Sequence, residues 1–299
     1  MRIVYPVGQL PLSKSESWIR LEIEYLKKRG IKVEPVFFKN VKKADFIYCH
    51  FATIAKNISN LEIPFAVVPH AVDIWPDNGK TLLEVSSSKN CKFVVAVTDY
   101  HFEKYREWGI KKPIYRINYA VDINTFTRTK DIRRVRKIVC GGRFVEKKGL
   151  EYAIRAVPDI VVFGDEPKRA FGKISKEYLE SLSNKAKFLG WLSHRQLAKL
   201  FDSSWLLVSP NIETEAGDAD GLPVTILEAL AMGLQVITTE VAGIRTIRKF
   251  VHFVPQRSVE AIRKKVQEIK KELNLEGMRY VRENHNPEVI VDKILKCLV

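Results

Sequence analysis

Nowhere in its 299 residues does the sequence hold ~18 consecutive apolar residues, so it offers no candidate membrane-spanning helix. Met1-Arg2 leads into Ile3-Val4-Tyr5-Pro6, a strand-like entry that lacks the long apolar stretch of a secretory signal. Cysteine is scarce: Cys49, Cys91, Cys140 and Cys297 stand far apart, with no CxxC and no Cys/His ligand spacing. They read as reduced thiols rather than a disulfide frame or a zinc site, and the expected location is cytoplasmic. No GxGxxG follows the first strand-like run and no GxxxxGK occurs, which removes the dinucleotide fingerprint and the P-loop. Low-complexity tracts and repeats of solenoid period are missing as well.

Acidic residues are the other shortage. Fifty Lys and Arg face thirty-five Asp and Glu, a net charge of +15, in a chain that is 46% hydrophobic. The composition is that of a folded protein drawn to something anionic: nucleic acid, an acidic membrane surface or a phosphorylated small molecule. The excess is spread out, with a net +8 over residues 1–130 and +7 over residues 131–299. A nucleic-acid reader needs a basic stripe interleaved with aromatics. Here Lys27-Lys28-Arg29, Lys42-Lys43, Arg133-Arg134 and Lys264-Lys265 are scattered, and no nucleic-acid partner is expected.

Short β-branched runs alternate with longer amphipathic stretches. Strand-like runs cover residues 3–7, 33–38, 46–49, 65–68, 93–97 and 114–117, and the clearest helical pattern runs from Trp18 to Leu26 and stops at Gly30. After a basic joint near Thr127 to Arg136 the series restarts, with strands expected at 138–140, 160–163, 188–189, 206–208 and 236–238. Helices are expected at 150–156, 176–182, 195–201 and 224–232, and a helical tail at 259–299 broken near Asn284 to Pro287. Strands alternating with helices argue for parallel sheets built from βαβ units, so two doubly wound α/β halves facing a cleft are expected. Ligands of such sheets gather where the strands end at their carboxyl side.

The most informative segment runs from Asp220 to Gly233, Asp-Gly-Leu-Pro-Val-Thr-Ile-Leu-Glu-Ala-Leu-Ala-Met-Gly. A helix is expected to start near Leu222, with Pro223 in its first turn, and to stop at Gly233. Asp220 then precedes the helix and Glu228 lies inside it, beside backbone N–H groups able to bind an anion. Alone, the segment would be an ordinary capped helix with one internal Glu. A second loop, Gly141-Gly142-Arg143-Phe144-Val145-Glu146-Lys147-Lys148-Gly149, places two cations five residues apart; alone it would be a solvated basic turn.

Together these segments resemble retaining glycosyltransferases of family 4 (glycosyl transferases group 1), nearest the exopolysaccharide branch. Asp220 to Gly233 is similar to that family's acidic-x7-Glu signature, and Arg143 with Lys148 to its Gly-Arg…Lys-Gly loop. Val162-Phe163-Gly164-Asp165, Phe188-Leu189-Gly190-Trp191 and Val121-Asp122…Phe126 match in register, so the likeness covers nearly the whole chain and is most specific in its second half. It departs at Asp220, where Glu is usual, at Tyr119-Ala120 in place of Asn-Gly, and at Arg245-Thr246 in place of Pro-Glu.

The resemblance implies a GT-B fold of two Rossmann-like domains, here residues 1–126 and 127–280, with 281–299 packing back on the first. It implies transfer of a sugar, with retention and without a metal or cofactor, from a UDP-, GDP- or ADP-sugar to a glycan or lipid-linked hydroxyl acceptor. Arg143 and Lys148 would hold the donor diphosphate, with Gly142, Gly164, Gly221, Leu222 and Pro223 lining its site. Trp191-Leu192 would lie near the base, Glu228 would accept hydrogen bonds from the ribose, and Asp220 would contact the transferred sugar. On the acceptor side, His70 and Asp73 resemble a His-x-x-Asp segment, and Ser15-Glu16 lies in a stretch similar to Ser-Glu-Thr-Phe. Asp218-Ala219-Asp220 forms a DxD, but the paired cations fill the role a metal would have there. A sugar-nucleotide epimerase and a non-catalytic sugar-nucleotide-binding protein are the alternatives. The remaining positive charge suits peripheral contact with an anionic membrane.

Overall fold

The computed structural model describes residues 1–10, 12, 17–70, 77–168, 170 and 172–298. It comprises two units, residues 1–121 with 284–299 and residues 122–283. Among the described residues no helix is long and apolar enough to cross a membrane.

The first unit is built on β1 (Arg2–Val7), β2 (Lys32–Phe37), β3 (Phe46–His50), β4 (Phe65–Val68), β5 (Cys91–Ala96) and β6 (Ile114–Arg116). Their order is β2-β1-β3-β4-β5-β6, and every pairing is parallel. A parallel sheet is covered on both faces, so its inner strands read as unbroken apolar runs; all four residues of β4, Phe-Ala-Val-Val, are buried. Pro6 is tolerated in β1 because β3 pairs only with Ile3 and Val4, and Pro35 lies on the edge strand β2. Helices α1 (Ser17–Lys28), α2 (Ala52–Ile58), α3 (Lys80–Ser86) and α4 (Asp99–Glu107) connect the strands. In α1, Ile19, Ile23 and Leu26 recur at helical spacing and are buried, each stabilising the packing by about 1.5–3 kcal/mol. Gly30, at φ +76°, ends the helix, and the Ile31 N–H returns to the Leu26 carbonyl at 3.1 Å.

The second unit repeats the plan. Its elements are β7 (Lys137–Gly141), α5 (Leu150–Ala156), β8 (Val161–Phe163), α6 (Lys176–Ser181), β9 (Lys187–Phe188), α7 (His194–Asp202), β10 (Ser204–Ser209), α8 (Val224–Ala231), β11 (Gln235–Thr239), β12 (His252–Val254), α9 (Val259–Glu268) and α10 (Leu275–Asn284). The all-parallel order β12-β11-β10-β7-β8-β9 reverses direction between β7 and β10. At that reversal the loops after neighbouring strands diverge and leave a crevice. A last helix, α11 (Pro287–Leu298), belongs to the first unit and packs on α1, with Arg29 and Asp292 paired at 2.6 Å.

The structure corrects three expectations. Helix α8 begins at Val224, as the 224–232 reading has it, and Pro223 is its N-cap at φ −62°, ψ 122° rather than a residue of its first turn; a residue preceding proline is pushed out of the α region, so the start near Leu222 does not hold. Strand β12 was not expected. The tail breaks twice, because Asn274 donates from its side chain to the Phe250 carbonyl at 2.8 Å and accepts from the Gly277 N–H at 2.9 Å, capping α10.

Candidate functional site

The loop after β7 meets the loop after β10 at the reversal point of the second sheet. Residues Glu146–Lys148 form one 3-10 turn, ended by Gly149 at φ +58°. A Cβ at Gly149 would come within 2.1 Å of the Pro210 carbonyl oxygen, so the two loops touch backbone to backbone only because the residue is glycine. The Ile212 N–H donates to the Lys147 carbonyl at 2.9 Å, fixing the register between them.

Along the same edge, three strand-end loops are joined by their main chains. The Gly142 N–H donates to the Phe163 carbonyl at 3.0 Å, Phe144 N–H to Asp165 at 3.0 Å, and Gly164 N–H to Gly190 at 2.9 Å. Gly164, at φ +109°, has the Gly142 carbonyl oxygen 1.8 Å from where its Cβ would stand. The edge is therefore lined by backbone, and a planar or anionic group can approach it closely.

The charged side chains converge on it. Lys148 Nζ pairs with Asp220 Oδ2 at 2.7 Å, and Lys147 Nζ with Asp218 Oδ1 at 2.8 Å. Asp220 also accepts from Asn211 Nδ2 at 2.5 Å, and the Asn211 Oδ1 accepts from Ser209 Oγ at 2.9 Å, tying the carboxylate to the end of β10. Both acids of the DxD are thus engaged by lysines of the β7 loop. Burial by itself would raise the Asp220 carboxyl, but Lys148, Lys147 and Arg143 outweigh it and hold it below the usual carboxylate range. Burial lowers Lys148 from its ordinary value against the opposing pull of Asp220, and the neighbouring Arg143 and Lys147 lower it further. Arg143 is exposed. Three cations facing two carboxylates leave the pocket short of negative charge.

Glu228, on the second turn of α8, is 5% exposed. Burial, together with the charge of Asp122, pushes its carboxyl up to about 8, so at pH 7 it is a neutral acid able to donate one hydrogen bond and accept another. His194 Nε2 lies 3.5 Å from Glu228 Oε1, at the first turn of α7. Gly221, Leu222 and Pro223 are buried at the start of α8, Leu192 is half-buried and Trp191 is 39% exposed. The structure brings Gly142, Lys148, Gly164 and Asp220 together with the backbone at Gly190. Arg245, unexplained in the sequence, shares the Glu240 carboxylate with Arg248, and the buried Thr246 hydroxyl has no partner among the described residues.

His70 belongs to the first unit, just beyond β4. Its Nε2 lies 3.1 Å from His50 Nδ1 and its Nδ1 lies 2.9 Å from the Tyr119 hydroxyl. Both ring nitrogens therefore have protein partners, so the ring would contact a ligand only by exchanging one of them. Ser15, Glu16 and Asp73 lie outside the described residues.

Sequence reading missed Lys147, Asn211, His194, Glu22 and His50. Lys147 was discoverable from its position beside Lys148 on a one-turn helix, where consecutive residues splay apart and need separate counter-charges. The others carry no local signal, because their partners lie on other elements.

Residues 135–272 match the family model described as glycosyl transferases group 1. The amylovoran biosynthesis glycosyltransferase AmsK of Erwinia amylovora is 29% identical over 119 residues, 36% of this chain and 28% of its own. The uncharacterized glycosyltransferase MJ1607 of Methanocaldococcus jannaschii is 25% identical over 243 residues, 70% of this chain and 61% of its own. The chain thus spans less than two thirds of the length of these curated relatives. Anabaena Alr3699/HepE, solved in complex with UDP-glucose, superposes with a TM-score of 0.79 at 13% identity, covering 100% of this chain and 99% of that one. Fold and family match agree: this is a chain of the GT-B fold whose residues 135–272 match the model of the glycosyl transferases group 1 family.

Proposed function

We propose that the protein is a retaining, metal-independent glycosyltransferase that moves a sugar from a nucleotide-diphosphate donor to a hydroxyl acceptor. The observation that carries this reading is the backbone-lined edge at Gly142, Gly164 and Gly190, with Lys148 held against it and Arg143 close enough to influence its charge. A diphosphate fits such an edge: the glycines admit close approach, and fixed cations stabilise the charge that develops as the nucleoside diphosphate departs. Two cations on one strand-end loop do this without a metal ion.

The residues divide the work as follows. Lys148 exchanges its Asp220 partner for a phosphate oxygen, and Arg143 closes on the diphosphate from the exposed side. Asp220, tied by Asn211, acts first as the counter-charge that keeps Lys148 in place, with its second face toward the transferred sugar. Glu228 binds the ribose as a neutral acid, donating to one hydroxyl and accepting from another. The base lies near Trp191-Leu192. The first unit receives the acceptor, with His70, Asp73, Ser15 and Glu16 on its side. HepE was solved with UDP and with UDP-glucose, which makes a UDP-sugar the first donor to test. AmsK is named for amylovoran biosynthesis, which favours a glycan or lipid-linked acceptor in polysaccharide or glycoconjugate assembly. The chain's +15 charge suits work at the cytoplasmic face of an anionic membrane.

A thermal-shift screen over UDP-, GDP- and ADP-sugars tests the donor. One class should raise the melting temperature, and Arg143→Ala should abolish the rise while lowering turnover by about 10²–10³-fold. No shift with any sugar nucleotide, and an Arg143→Ala protein indistinguishable from the parent, would sink the reading.

A further inference from the structure

The first unit holds a buried polar chain that the proposed donor chemistry does not use. The Tyr5 hydroxyl donates to Glu22 Oε2 at 3.2 Å, and His50 Nε2 lies 3.0 Å from the same oxygen. His50 Nδ1 meets His70 Nε2 at 3.1 Å, and His70 Nδ1 meets the Tyr119 hydroxyl at 2.9 Å. The rings of His50 and His70 stack at 5.3 Å, those of His70 and Tyr119 at 5.7 Å and 8° apart, and Trp18 lies against both His70 and Tyr119. Glu22, His50, His70 and Tyr119 are 3%, 2%, 6% and 7% exposed. These residues come from α1, β3, the end of β4 and the segment after β6.

The donor and acceptor rules leave this chain little freedom. Glu22 Oε2 already accepts from the Tyr5 hydroxyl, and accepting from His50 as well it places the His50 proton on Nε2. Burial, then the neighbouring His50 and His101, lower His70 well below its ordinary value, so its ring stays neutral with one proton to place. Burial, the Glu22 charge and Tyr48 raise the Tyr5 phenol well above its usual range, so it remains a donor to Glu22. If His50 is neutral, its Nδ1 accepts from His70 Nε2–H, and Tyr119 must donate to His70 Nδ1. If His50 carries a second proton, every bond beyond it reverses, and Tyr119 accepts from His70 Nδ1–H. In the first arrangement any further partner of the Tyr119 oxygen must be a donor; in the second its own O–H points away from His70.

We propose that Glu22 and His50 are positioning residues that act through His70 to set the hydrogen-bond polarity of the Tyr119 hydroxyl. The neutral arrangement is the working one: it makes the Tyr119 oxygen an acceptor for a sugar hydroxyl and a poor partner for a phosphate. This rests on the reading of the first unit as the acceptor side. It assigns that side a neutral, hydroxyl-bearing ligand and leaves the anionic donor to the second unit. Among the described residues, the titratable side chains of Tyr48 and His101 also face the chain.

The test uses ¹⁵N-histidine NMR on the full chain, with UDP-glucose as donor and methyl α-glucoside as the hydroxyl probe. At pH 7.5, His70 should show one tautomer, protonated on Nε2. Glu22→Gln keeps an oxygen to accept from His50 and should preserve that tautomer. His50→Phe keeps the ring stack but removes the acceptor, and His70 should become a mixture. Release of UDP should then fall about 10-fold in His50→Phe and in Tyr119→Phe, while UDP-glucose affinity stays within twofold of the parent. A mixed or Nδ1-protonated His70 in the parent overturns the proposal, as does an unchanged single tautomer in His50→Phe. If UDP-glucose does not bind the parent, the donor reading has failed, and the tautomer measurements still decide this one.

Discussion

Glu228→Gln isolates the electrostatic cost of the buried acid on α8. The Glu228 carboxyl is raised from 4.5 to about 8, so between those values the folded chain holds a proton that the unfolded chain has released. Stability linked to this group is complete at low pH and is lost as pH rises, at about 1.4 kcal/mol for each unit of pH. At pH 7 the accumulated loss is about 3 kcal/mol, and it levels off above pH 8. Glutamine has the same length, can donate and accept a hydrogen bond, and does not titrate. The variant should therefore match the parent near pH 4.5 and become more stable than it by about 3 kcal/mol at pH 7. Urea unfolding of both proteins at fixed ionic strength from pH 4.5 to 9 measures the difference, in which titrations they share cancel. Parallel stability curves, or a difference that grows toward low pH, would refute the account of Glu228 as a neutral buried acid.

Two further substitutions probe the same unit. Gly164→Ala places a Cβ 1.8 Å from the Gly142 carbonyl in a left-handed backbone, and should cost about 2–4 kcal/mol in chemical denaturation. Asp220→Asn strips Lys148 of its counter-charge and should destabilise the fold by about 3 kcal/mol. UDP, by supplying negative charge, should raise the melting temperature of this variant more than that of the parent; an equal rise in both would argue that the nucleotide does not reach Lys148.

Much of this architecture was legible because parallel strands are buried on both faces and announce themselves as unbroken apolar runs. Phe65 to Val68 is a strand in both readings, and Leu150 to Ala156 a helix in both. The glycines at 142, 164 and 190 stood where strands end, and the fold lines them up. Strand β12 escaped because His252-Phe253-Val254 is too short for any period to show, and two of its three residues are half-buried. Of the two starts the sequence offered for α8, Val224 holds and Leu222 fails, because proline restricts the residue before it. The Glu22–His50–His70–Tyr119 chain had no sequence signature at all. Its four members lie on separate elements: the pairing of β3 with β4 sets His50 beside the strand that leads to His70, while Glu22 comes from α1 and Tyr119 from the segment after β6. Sequence placed His70 on the acceptor side by resemblance, but which partners hold its two ring nitrogens depends on His50 and Tyr119, far along the chain.

The main-chain bonds between the loops after β7, β8 and β9 set where this protein can change length. Residues 141–144, 163–165 and 189–190 take part in one another's hydrogen bonding, so a single insertion in any of them breaks a seam shared with the next. Beyond Asp165, the next main-chain bonds to this region among the described residues are those of the Gly172 carbonyl, which accepts from the Glu146 N–H, and of the Ile174 N–H, which donates to Phe144. Added residues are therefore best accommodated at 167–168, just past that seam, where the chain can lengthen without displacing the glycine edge. Variation in loop length should collect there, while the seam itself passes unchanged from one descendant to the next.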